Sequence, residues 1–131
     1  MEFLNVLVAA GAAFALGAVW YLVLAEPWMQ ASGVPRDETG QPAGGQPPKL
    51  FALSFVLQLI VAGMMRHVFA LSGVDTLAAG FSSGVGIGLF FITPWIGINN
   101  LYSRRPLRLT LIDGGYATLA CAAMGLILTS F

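Results

Sequence analysis

Four long apolar runs alternate with three short polar stretches along the 131-residue chain. The runs cover roughly residues 3–25, 50–71, 76–98 and 107–131. Each approaches or exceeds the roughly 20 residues that cross a bilayer at about 1.5 Å rise per residue. Backbone polar groups in lipid must be satisfied within each segment, so the runs predict helices. Short connections between them predict an antiparallel four-helix bundle, an all-α integral membrane fold occupying one domain. The first run could be mistaken for a secretory signal. Its leading Met1-Glu2 carries no lysine or arginine, and the apolar stretch continues to about Ala25, which predicts a span instead.

The polar stretches set the expected orientation. Arg36 and Lys49 fall in the first connection, and Arg104, Arg105 and Arg108 in or beside the third; Arg66 alone falls toward the opposite side. Positive charge is retained in the cytoplasm, so both termini are expected on the outer side of a cell (inner) membrane. Residues 30–48 are dense in proline and glycine without apolar periodicity and predict a mobile cytoplasmic loop. Asp75 stands where an N-cap for the third span is expected, within reach of Arg66. Glu26, at the border of span one, is expected to be hydrated or paired with a cation of the third connection.

Within the spans, small residues recur every four positions. Ala13 and Gly17 follow Ala9 in span one, Gly80, Gly84 and Gly88 line span three, and Ala117 and Gly125 flank Cys121 in span four. Such stripes let two helix backbones approach closely. The stripe of span three fits close packing within one chain and an interface between copies equally well. Trp20, Tyr21, Trp28 and Trp95 stand near span ends, where aromatic residues anchor helices among headgroups. Pro94 is expected to bend or loosen the end of span three, and Pro106 to open span four. Gln58, near the middle of span two, is expected to find a partner on another helix.

Composition then narrows the function. Charged residues make up 9% of the chain against 57% hydrophobic, whereas soluble domains carry about a quarter charged residues. A formal net charge of zero gives no basic field for nucleic acid. A lone cysteine and a lone histidine, Cys121 and His67, provide neither a disulfide nor a set of metal ligands, and no cofactor motif occurs. Without a nucleophile beside a base, an enzyme is not expected.

The exception to this inert interior is Asp113, carried about 10 Å into span four from the basic hairpin. An ionisable residue inside a span is a functional candidate whose partner must be named. Arg104, Arg105, Asn99 and Asn100 are the expected partners, with Tyr21 and Tyr116 as hydroxyl donors. Asn99, Asn100, Arg104, Arg105, Asp113 and Tyr116 form the candidate polar cluster. It supports two readings. The preferred one is a polar clasp in a structural or interaction module that packs into oligomers or with other membrane proteins. The other is a hydrated vestibule for a proton, cation or small polar solute in an oligomeric channel or transporter.

Several of these residues also carry a resemblance. Gly17-Ala18-Val19-Trp20-Tyr21 with Trp28-Met29, Leu53-Ser54-Phe55, Asn99, Arg105-Pro106, Leu111-Ile112-Asp113 and Gly115-Tyr116 resemble the signature of domain of unknown function 1761. That family comprises small four-helix prokaryotic membrane proteins. Its members often carry proline soon after the aromatic pair of span one, where this chain has Leu22-Val23 and reaches Pro27 later. The resemblance implies fold and location but no reaction.

Overall fold

A computed structural model describes residues 3–131, so the Met1-Glu2 segment weighed against a signal peptide lies outside the described residues. The described chain is all-α, and four of its helical stretches are long and apolar enough to cross a membrane: Leu4–Val23, Pro48–Ser72, Leu77–Tyr102 and Leu107–Leu128.

The first span is α1, Leu4–Val23. It stops at Leu24, whose ψ of 22° leaves the helical region while its N–H still donates to the Trp20 carbonyl. A separate short helix, α2 (Ala25–Ser32), follows at once. Pro27 falls in its first turn, where a missing N–H costs nothing. Gly33 closes α2 at φ 70°, a left-handed cap suited to glycine. Residues 30–32, expected in the loop, are therefore helical.

Residues 33–47 also carry local order. Arg36 and Pro42 form an isolated bridge. Asp37 Oδ1 accepts from the Thr39 hydroxyl at 2.6 Å and from the backbone N–H groups of Thr39 and Gln41. These bonds, the Thr39 hydroxyl foremost, hold the Asp37 carboxyl below its usual range. Glu26 pairs with Arg36 at 2.8 Å, a cation of the first connection and not the third. Arg36, with help from Gln30, holds the Glu26 carboxyl below its usual value. The Glu26 side chain is 60% exposed, as the hydrated alternative expects; only the cation differs from the expected one, and proximity explains it, since Arg36 is ten residues along the same turn of chain.

The second span is α3, Pro48–Ser72, closed by Gly73 at φ 72°. The third is interrupted: α4 (Leu77–Gly86) passes into a π-helical stretch, Ile87–Ile92, and continues as α5 (Thr93–Tyr102). Thr76, not Asp75, caps α4, its Oγ1 accepting the Ala79 N–H at 3.1 Å. Pro94 was expected to disturb the turn after it, but the irregularity lies upstream. A proline ring crowds the carbonyl four residues back and offers no N–H to it. Widening the preceding turn gives room, and the Thr93 N–H bonds five residues back to Gly88. The last span is α6, Leu107–Leu128.

α6 is the organising helix, packed against α1 on one side and against α4, the π stretch and α5 on the other. α3 rests chiefly on α1 and touches α6 lightly. Phe14 of α1 meets the ring edges of Phe51 and Phe55 of α3, with centroids 6.3 and 5.9 Å apart. The core joining α1, α3 and α6 includes Ala9, Ala10, Ala13, Ala62, Met65, Phe69, Ala120, Cys121 and Met124. Large apolar side chains such as Leu22, Ile60, Phe90 and Leu111 are more than 60% exposed. In water that surface would be costly; against hydrocarbon it is the expected exterior.

The small-residue stripe of span three is occupied within the chain. A Cβ placed on Gly80 would meet the Gly125 carbonyl and Thr129. One on Gly84 would meet the Cys121 carbonyl, and one on Gly88 the backbone of Ala117 and Thr118. The pairs run in opposite sequence directions, so α4 and α6 lie antiparallel with backbones in contact. Gly80, Gly84, Gly88, Ala117 and Gly125 thus all stand at one intramolecular seam.

Candidate functional site

The candidate site lies where α1, α3 and α6 meet, and α6 supplies both of its central side chains. Asp113 and Tyr116 are three residues apart and share a face of the helix. Asp113 is half-buried, and its Oδ1 accepts a hydrogen bond from the Tyr21 hydroxyl of α1 at 2.6 Å. Tyr116 is also half-buried, its hydroxyl donating to the Ala13 carbonyl at 2.6 Å. The same hydroxyl accepts from Gln58 Nε2 of α3, so one oxygen ties three helices together. The rings of Tyr21 and Tyr116 stand edge to face at 5.5 Å, and Trp28 of α2 meets Tyr21 at 6.1 Å.

Small residues admit these aromatic groups. A Cβ on Gly17 would collide with the Tyr116 hydroxyl, and one on Gly115 with the Trp20 ring. Trp20, besides its position near a span end, donates its indole N–H to the Ile112 carbonyl at 3.0 Å. Ala13 and Gly17 therefore provide the flat part of α1 on which Tyr116 lies. Trp95 is 64% exposed and contributes nothing to this cluster.

The rest of the expected cluster is placed elsewhere. Arg104, at φ 60°, turns the hairpin, and Arg104, Arg105 and Arg108 are all exposed. None of them reaches Asp113: among the described residues the ion pair present is Arg36–Glu26. Arg105 instead extends to α2, its guanidinium lying over Gly33. Asn100 Nδ2 donates to Thr110 Oγ1 at 2.9 Å, and the Asn99 carbonyl accepts from Ser103. Of the partners anticipated for Asp113, the arginines and asparagines thus give way to Tyr21. Drawing an exposed guanidinium in to a half-buried acid costs desolvation on both ions. A phenol meets the acid at less cost.

Three further polar contacts have no counterpart in the sequence reading. Thr93 Oγ1 lies 2.7 Å from the Gly88 carbonyl and 3.2 Å from that of Gly114, covering the widened π turn where it meets α6. Asn5, 6% exposed, donates to the Phe131 carbonyl at 2.9 Å and ties the start of α1 to the end of the chain. The Trp20 bond to Ile112 is the third. A lone amide or hydroxyl in an apolar run is the signal that could have found the first two.

No group of three or more His, Cys, Asp and Glu side chains able to hold a metal occurs among the described residues. Cys121 is buried and free. The arrangement can tie helices together through its hydrogen bonds.

Four helices long and apolar enough to cross a membrane define a multi-pass membrane protein. The profile of a family described as protein of unknown function, DUF1761, matches residues 4–129, so the chain belongs to that family. No curated protein and no solved structure matches it.

Proposed function

We propose that the protein is a non-catalytic structural and interaction module of the cell (inner) membrane, an antiparallel four-span bundle with both termini outside and its basic loops in the cytoplasm. The excess of lysine and arginine in the first and third connections supports that orientation. The observation that carries the reading is the engagement of the interior polar groups. Tyr21, Asp113, Tyr116 and Gln58, the side chains a conduction path would draw on, are bonded between helices. The glycine stripe is filled by α6, so contacts with copies or other membrane proteins would use the exposed apolar flanks, such as the Leu57, Ile60 and Met64 face of α3.

Proteoliposome flux separates this reading from permeation. Wild-type protein under a pH or sodium gradient is expected to leak no faster than empty liposomes. Flux present in wild type and lost in Asp113→Asn would replace the clasp with a conducting acid.

A further inference from the structure

We infer that the cavity between the end of α5 and the start of α6 is a binding site for one anionic phospholipid, its phosphate held at Arg105. The inference rests on the membrane placement above and is independent of the Tyr21–Asp113 clasp.

The cavity, about 110 Å³, is lined by Gly97, Asn100, Leu101, Arg105, Leu107 and Thr110. Its walls combine three chemistries. Leu101 and Leu107 are 76% and 72% exposed and give it an apolar lip facing outward. Arg105 supplies a cation, flanked in sequence by Arg104 and Arg108, and none of the three has an anionic partner among the described residues. Thr110 is only 8% exposed, and its hydroxyl accepts from Asn100. Having accepted, that hydroxyl still holds a proton to donate, and no described residue takes it.

Location selects the ligand. The cavity sits where two spans end, at the depth of headgroups, so a ligand there meets arginine on the water side and leucine on the lipid side. Basic pockets between transmembrane helices on the cytoplasmic side match anionic headgroups. A volume of about 110 Å³ is less than the roughly 150 Å³ apolar cavity that admits benzene. It therefore takes the phosphate group alone, leaving the glycerol and acyl chains to run over Leu101 and Leu107. Arg105 also lies over Gly33, so lipid phosphate would be held beside the α2 cap.

The test is native mass spectrometry of the full chain with dioleoylphosphatidylglycerol and dioleoylphosphatidylcholine. One phosphatidylglycerol is expected to be retained in preference to phosphatidylcholine. Arg105→Gln is expected to weaken retention about fivefold, the size of one interfacial cation's contribution. Because Arg105 also contacts α2, Gly97→Leu provides a second variant. A Cβ on Gly97 meets only the Thr110 methyl, at an ordinary 3.5 Å, so a leucine can start from this wall of the cavity without a clash at its Cβ. It should abolish the preference while the thermal transition is preserved. Equal retention of the two lipids, or undiminished phosphatidylglycerol binding by Gly97→Leu, would overturn the proposal. Displacement of phosphatidylglycerol by millimolar inorganic phosphate would also overturn it, showing a site for the free ion.

Discussion

Gly84→Leu is expected to prevent α4 from seating on α6 and to yield protein that no longer gives a single cooperative transition in detergent. The physical reason is the identity of the obstacle. A Cβ at position 84 meets the Cys121 carbonyl and the backbone of Ala122. A flexible side chain can swing aside; a helix backbone cannot move without carrying the seam with it. Overpacking that neighbours can absorb costs about 1–3 kcal/mol. Here the cost should lie at or above the top of that range, since Gly80 and Gly88 would be levered from α6 together. Gly63 provides the control, because a Cβ there meets nothing within 4 Å. Gly63→Ala should stabilise the protein slightly, by up to about 1 kcal/mol from helix propensity. Thermal melts of the two variants beside wild type decide the matter. A Gly84→Leu melt close to wild type would mean that α4 and α6 do not pack backbone to backbone.

The second large effect is expected at the oxygen that joins three helices. Tyr116→Phe removes the donor to the Ala13 carbonyl and the acceptor for Gln58 together. The Ala13 carbonyl keeps its place in the helix ladder of α1, but the Gln58 amide is left with neither end satisfied, since its Oε1 already lacks a partner. A buried polar group stripped of its partner costs about 1–3 kcal/mol, and bonds between transmembrane helices average about 0.6 kcal/mol. A loss of roughly 1–3 kcal/mol is expected for the two contacts combined. Gln58→Leu added to Tyr116→Phe should recover part of it, because removing both partners of a hydrogen bond can be nearly neutral. Recovery by the double variant distinguishes a lost bond from a simple packing fault.

The contrast between these positions shows what the sequence made legible. Hydropathy alone delimits all four spans to within a few residues, since crossing lipid imposes a length and excludes charge. Glycine spacing announces close approach but not with which helix. Gly84 needed the third dimension to be assigned to α6, because a stripe of small residues is equally suited to a neighbour in the same chain or in another. The break at Leu24 was hidden for a different reason: Leu22, Val23 and Leu24 are all apolar, and no glycine marks the point where α1 becomes α2. The displaced π turn follows from Pro94, yet a proline's strain can be relieved on the preceding turn as readily as at the proline itself.

Asp113 is the most instructive case. Its place within the fourth apolar helix follows from the chain. Its partner does not, because arginine, asparagine and tyrosine were all within reach on sequence grounds. The choice depends on where the hairpin points its arginines, which is set by the left-handed turn at Arg104. With those side chains exposed, Tyr21 is the group left facing the acid.

The central claim is that this acid ties α1 to α6, and a double-mutant cycle on Tyr21 and Asp113 tests it most directly. Equilibrium unfolding in detergent is measured for wild type, Tyr21→Phe, Asp113→Leu and the double variant. A bond of 2.6 Å between the two side chains predicts non-additive losses, with a coupling of about 0.5–2 kcal/mol. Strictly additive losses, or an Asp113→Leu variant more stable than wild type with Tyr21→Phe unaffected by its presence, would contradict it.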